Sequence, residues 1–153
     1  MLRVTKLTDY ASVVLTVLAS DPDAVLSASG LAERAGLETP TVAKLLKPLA
    51  QAGLVEAFRG VNGGYRLARD ATDISLVEIV EAMEGPLGMT ECSLHTGHCG
   101  IEQSCGARAN WRRINDVVAD ALASVSLADM LATPAQASAT SGKRTIPATL
   151  AAA

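Results

Sequence analysis

Aromatic residues are nearly missing from this chain: one Trp, one Phe and two Tyr stand among 153 residues. A core of stacked rings is therefore excluded, and the interior has to be Leu, Val, Ile and Ala, a mixture that suits packed helices. Charge of either sign is thin at 19%, but apolar residues reach 49%, which excludes a wholly disordered chain. Basic residues are not in excess, since the formal net charge is −3. A long hydrophobic run is lacking too. The stretch from Ala11 to Ala19 follows Arg3 and Lys6, but it is far shorter than the roughly 18–20 apolar residues that cross a bilayer. Thr8-Asp9-Tyr10 separates it from the basic residues, and no small-x-small cleavage pattern follows. The run reads as a buried helix, and the expectation is a cytoplasmic protein without a membrane partner. The length suits one domain, with room for an extra helix and a tail.

What is present is unevenly distributed. Residues 1–69 hold eight Lys or Arg against six Asp or Glu, whereas residues 70–132 hold three against ten. A mildly basic first part joined to a strongly acidic second part predicts that only the first meets phosphate. The three cysteines, Cys92, Cys99 and Cys105, are odd in number and crowded into a short stretch. That is a poor disulfide framework and a plausible set of metal ligands in a reducing compartment.

Local signals predict the elements. Thr8 is placed as the cap of a first helix reaching Ala19, with Asp9 in its first turn. Ser27 caps a short helix through about Ala35, and Gly36 makes the turn. Thr39-Pro40 reads as an N-cap followed by proline at the first helical position. The next helix gathers Val42, Leu45, Leu46 and Leu49 on one face and ends at Gly53. Pro48 should bend or loosen it. Leu54–Phe58 and Tyr65–Leu67 read as strands around a glycine-rich tip. Ser75 and Glu78 form a capping-box pattern for a helix to about Glu84. No regular structure is legible over about 85–106. A long helix over about 107–125 follows, with an apolar stripe of Trp111, Ile114, Val118, Ala121, Leu122 and Val125. Ser126 caps a last short helix, and residues 133–153 read as a disordered tail beyond a domain of residues 1–132.

The predicted fold class is therefore mainly α with a small β-hairpin wing, a winged helix-turn-helix followed by a long C-terminal dimerisation helix. In that order of elements the second helix of the pair enters the major groove of DNA. With its leucine face buried, Thr39 and Thr41 stand near its N-terminal end, where bases are read, and Lys44 and Lys47 supply charge to phosphate. Arg59 and Asn62 lie at the wing tip, where glycines permit close approach to the backbone or the minor groove. The bland alternative is a winged helix used for protein contacts, its lysines simply solvated.

Cys92 and Cys99 are separated by six residues, Cys99 and Cys105 by five, in a loop with several glycines. Thiolates suit an iron–sulfur cluster or zinc. Three of them leave one tetrahedral position open, which selects a fourth non-cysteine ligand or a labile site. His95 or His98 would complete a zinc site. Three unlinked thiols are the plain alternative, and a cluster or zinc carrier without a DNA role is the rival from another class. No nucleophile–base–orienter set is visible, so an enzyme is not expected.

These residues resemble a family. Leu2-Arg3-Val4-Thr5-Lys6-Leu7-Thr8-Asp9-Tyr10-Ala11, Leu31-Ala32-Glu33-Arg34-Ala35-Gly36-Leu37, Gly53-Leu54-Val55, the wing Arg59-Gly60-x-x-Gly63-Gly64-Tyr65-x-Leu67, the cysteine triad and Trp111-Arg112 are similar to the bacterial iron–sulfur regulators that include IscR and NsrR, the Rrf-two family. The resemblance covers about residues 1–132. It implies a homodimer joined by the long helix, bound to a partly palindromic operator of double-stranded DNA. It implies a 2Fe–2S or 4Fe–4S cluster on Cys92, Cys99 and Cys105 that tunes affinity. Thr5-Lys6-Leu7-Thr8-Asp9-Tyr10 looks most like regulators, usually repressors, of the SUF assembly operon. NsrR-like sensors, in which nitric oxide or an oxidant acts at the cluster, come next. Two departures stand out. The first cysteine interval is one residue longer than usual, and Arg108 stands where IscR has a histidine ligand. In NsrR-like members an aspartate of the first helix, supplied across the dimer, completes the cluster, and Asp9 holds that position; its other reading is a first-turn helix acid.

Overall fold

The computed structural model describes residues 3–94, 100 and 104–132. The order is α1 (Lys6–Ala19), α2 (Ala28–Ala35), α3 (Thr39–Gln51), β1 (Val55–Phe58), β2 (Gly64–Leu67), α4 (Leu76–Glu84), α5 (Arg108–Ala123) and α6 (Leu127–Leu131). Single 3-10 turns lie at Ala71–Asp73 and Glu91–Ser93. This is the mainly helical fold with a hairpin that the sequence predicts. No helix of the described residues is long and apolar enough to cross a membrane.

The core gathers where the periodicity places it. Val42, Leu45, Leu46 and Leu49 are buried on α3, against Ala11, Val14, Leu15 and Leu18 of α1 and Leu31 of α2. Removing one such leucine side chain costs about 2–5 kcal/mol, enough to threaten a domain of this size. Ser27 accepts from the Gly30 amide at 3.1 Å and starts α2, and Gly36, at φ 65°, ends it.

Two local expectations are corrected. Helix α1 begins earlier, with Thr5 as its cap; Thr8 is buried, and its hydroxyl donates instead to Glu84 at 2.6 Å. A threonine one turn into a helix can serve a tertiary partner, which local sequence does not reveal. Glu38, not Thr39, is the N-cap of α3, so Thr39 and Pro40 both lie inside the first turn. Proline lacks the amide hydrogen that this turn leaves unpaired anyway, so either position tolerates it. Helix α3 includes Pro48 and extends to Gln51, and the Ala52 amide donates to the Pro48 carbonyl at 3.0 Å.

The hairpin pairs Val55 with Leu67 and Phe58 with Gly64. It is stitched to the stretch before α2 by two bonds between Leu26 and Tyr65, at 3.0 and 2.8 Å. Gly64 makes that seam possible: a Cβ there would sit 2.5 Å from the Leu26 carbonyl oxygen. The chain returns to the same body after α5. Leu127 N donates to Ile74 O at 2.7 Å, Leu76 N donates to Val125 O at 2.8 Å, and Leu127 is fully buried. The C-terminal end of α5 is thereby fastened to the α1–α4 body.

Candidate nucleic-acid interface and cysteine site

On α3 the buried leucine face leaves Thr39, Pro40, Ala43, Lys44, Lys47 and Gln51 exposed, with Thr41 half-buried. The spacing from Pro40 through Ala43, Lys44 and Lys47 to Gln51 is one continuous helical stripe. Lys44 and Lys47 make no hydrogen bond or ion pair among the described residues. Their charge is therefore not paired with any carboxylate of the described residues.

The wing ends in a tight turn. Gly60 has φ 111°, and the Gly63 amide donates to the Gly60 carbonyl at 3.0 Å, closing a tight turn over Val61 and Asn62. A Cβ on Gly63 would lie 2.8 Å from the Gly60 oxygen, so the turn accepts no side chain there. Arg59 and Asn62 are both exposed. Asn62 and Gly63 border a shallow groove with Ser27, Gly30, Glu33 and Arg34. Arg66, which sequence reasoning did not single out, lies over the Phe58 ring at 5.0 Å and meets Glu56 at 3.4 Å. Its charge is shared with the strand face, whereas Arg59 has no partner among the described residues.

Below the wing, Arg69 donates to Glu78 at 2.7 Å and to the Asp73 carbonyl at 2.8 Å. Glu78 also accepts the Ser75 amide at 2.9 Å in a complete capping box. The guanidinium above all, and then the Ser75 amide, hold the Glu78 carboxyl down at about 2. The segment after β2 is thus locked to the start of α4.

The end of α4 meets α1. Glu84 accepts from the Thr8 hydroxyl at 2.6 Å and from the Thr5 amide at 2.9 Å. Those two bonds, the hydroxyl first, lower its pKa from the ordinary carboxylate value. Asp9 stands one residue beyond Thr8, exposed in the first turn of α1.

Of the three cysteines, Cys92 and Cys105 are described, and Cys99, with His95 and His98, lies outside the described residues. Cys92 is buried in its 3-10 turn, its sulfur 3.2 Å from the Thr90 hydroxyl. The Arg112 Nε donates to its carbonyl at 3.3 Å, pinning the turn to α5. Cys105 is half-buried just before α5, and its carbonyl accepts the Arg108 amide at 3.4 Å. No group of three His, Cys, Asp or Glu converges among the described residues. Cys105 precedes α5 and Cys92 is bonded to it through Arg112, and thiolates are soft donors of the kind that suit a cluster or zinc.

Helix α5 divides its stripe. Asn115 is buried, and its Oδ1 accepts the Met89 amide at 3.1 Å. Val118 and Leu122 line a groove with Val80 of α4. Trp111, Ile114 and Val117 remain exposed. Asn115 was missed because one polar residue inside an apolar stripe looks like an interruption; its four-residue offset from Trp111 was the available signal.

Comparison with known proteins places this architecture. The chain is 29% identical over 131 residues to the HTH-type transcriptional regulator IscR of Photorhabdus laumondii, covering 85% of this chain and 79% of that one. It superimposes on the structure of T. potens IscR with TM-score 0.63 and 31% identity, over 85% of this chain and 86% of that one. It is also similar to CymR, the global cysteine regulator of B. subtilis, with TM-score 0.66 and 27% identity, over 86% and 97% of the two chains. These relatives are transcriptional regulators, not enzymes. The Rrf2 family, described as iron-dependent transcriptional regulators, matches residues 4–133, and the chain belongs to that family.

Proposed function

We propose that this DNA-binding regulator is a homodimeric repressor whose operator affinity depends on an iron–sulfur cluster held by Cys92, Cys99 and Cys105, with Asp9 of the other protomer as a further ligand. The single observation that supports this most is that Cys92 is pinned by Arg112 to the helix that Cys105 precedes. A cluster, 2Fe–2S or 4Fe–4S, supplies a redox-active centre when bound. Everything else in the device belongs to the protein. Arg112 and Asn115 tie the 89–92 segment to α5, Glu84 ties the end of α4 to α1, and α6 ties the far end of α5 to the same body. Thr39 and Thr41 face bases, Lys44 and Lys47 face phosphates, and Arg59 and Asn62 of the wing reach the flanking backbone or groove. A change in how the loop sits on α5 shifts the two recognition helices away from a half-site spacing of about 34–36 Å.

The domain comprises residues 1–132, and the regulated genes are those of SUF-type cluster assembly, which the opening Thr5–Tyr10 stretch supports. Asp9, together with Arg108 in the place of a histidine ligand, favours a second reading, an NsrR-like repressor answering nitric oxide or an oxidant.

Anaerobically purified protein tests the proposal directly. It is expected to be brown, to contain iron and acid-labile sulfide, and to footprint its promoter differently before and after the cluster is removed. Colourless protein with stoichiometric zinc, or a Cys92→Ser, Cys99→Ser, Cys105→Ser triple variant that footprints identically in every state, overturns cluster control. Nitric oxide exposure that releases the promoter while cluster supply leaves it occupied selects the second reading.

A further inference from the structure

The wing tip holds an unused residue. Val61 is 103% exposed, while the next most exposed large apolar side chain among the described residues, Val117, reaches 61%. A branched apolar group touching nothing in its own protein is unremarkable on a floppy loop. Here it stands on a tight turn, closed by the Gly63–Gly60 bond with Gly60 at positive φ. Arg59 precedes it and Asn62 follows it, both exposed. A single apolar residue between a glycine and an asparagine is far too small for a protein-docking patch. The sequence of a cation, a compact hydrocarbon and an amide instead suits the minor groove: phosphate at the rim, apolar sugar walls, and base acceptors on the floor.

We propose that Val61 and Asn62 form a wing-tip reader of the minor groove that accepts A·T pairs and rejects G·C pairs beside the site of α3. The inference rests on the DNA-binding reading and adds a sequence preference to it. An A·T floor offers only acceptors, N3 and O2, which the Asn62 amide can donate to. A G·C pair raises the guanine 2-amino group from the floor. Valine methyls have no acceptor for that donor and occupy the space it needs, so the pair is opposed by shape and by an unsatisfied hydrogen bond.

Inosine separates this reading from its rivals, because an I·C pair keeps the major-groove face of G·C and lacks only the 2-amino group. The full chain is first used to select bound duplexes from a random pool, and minor-groove protection locates the wing-facing pairs. At those pairs A·T, I·C and G·C are then compared by fluorescence anisotropy. The wild type is expected to bind A·T and I·C within about twofold of each other and G·C roughly tenfold more weakly. Val61→Ala is expected to bring the G·C penalty down to about twofold, and Asn62→Ala to weaken A·T and I·C alike. Since Val61 touches no other residue, its truncation spares the fold. A wild type indifferent to the three pairs, or a Val61→Ala protein that keeps the full penalty, overturns the wing-tip reader while operator binding stands. Failure to retain any duplex removes the DNA-binding reading and this inference together.

Discussion

Glu78 sits between two donors, the Arg69 guanidinium at 2.7 Å and the Ser75 amide at 2.9 Å. Its folded pKa of about 2 lies below the ordinary 4.5. The ionised carboxylate therefore stabilises the fold above about pH 4.5, and that contribution is lost as pH falls from 4.5 towards 2. Both side chains are more than a third exposed, so solvent screening limits the gain to about 1 kcal/mol. Urea unfolding of wild type and Glu78→Gln should show that difference near neutral pH and a smaller one near pH 3; a constant difference contradicts the assignment. Gly64 is a second residue whose identity the fold dictates. Gly64→Ala places a methyl 2.5 Å from Leu26 O, so it should cost about 2–3 kcal/mol and shift the Leu26 and Tyr65 amide resonances. Unchanged stability would mean that the hairpin seam yields. Residues of this sort were only partly legible. Gly60, Gly63 and Gly64 stood out as a wing, but the Thr8–Glu84 bond joins positions far apart in the chain, and nothing local marks it.

Elements were more legible than their ends. Periodicity found α3 and α5, and glycine with asparagine found the hairpin, because burial on one face and turn chemistry are written within a few residues. The cap of α1 slipped because Thr5 and Thr8 both offer cap chemistry and Glu84 takes the Thr8 hydroxyl, while α3 starts one residue earlier than Thr39-Pro40 suggests, at Glu38, whose side chain makes no capping bond. The turn at Glu91–Ser93 had no local signature either; Arg112 and Thr90 hold it from outside its own residues. In α5 the stripe splits between a face packed on α4 and the exposed Trp111, Ile114 and Val117. A row repeating at three-residue steps and left partly exposed by the described residues suits the proposed seam between two copies. Ile114→Glu should convert a dimer to a monomer in sedimentation at micromolar concentration with the circular dichroism unchanged. A variant that still sediments as a dimer clears this face of the role.

At the scale of the molecule, basic residues outnumber acidic ones over residues 1–69 and acidic residues dominate residues 70–132, a division that the order of residues alone makes plain. The acidic segment is expected to face away from phosphate, and few phosphate contacts predict a shallow dependence of operator binding on salt. Lys47→Ala should weaken binding to all sequences alike and flatten the slope of log affinity against log salt by about 1 per protomer. A sequence-selective loss would instead make Lys47 a base reader. What the sequence could not show was how the cysteine segment is fastened. Leu87 N donates to Glu81 of α4, Met89 N to Asn115 of α5, and the Cys92 carbonyl accepts from Arg112 of α5. These moorings are all on α4 and α5, none on the recognition helix or the wing. On the proposed reading, perception and address are then separable parts: a chimera exchanging residues 86–105 between family members, with matching residues at 9, 81, 112 and 115, should answer the donor's stimulus at the recipient's promoters.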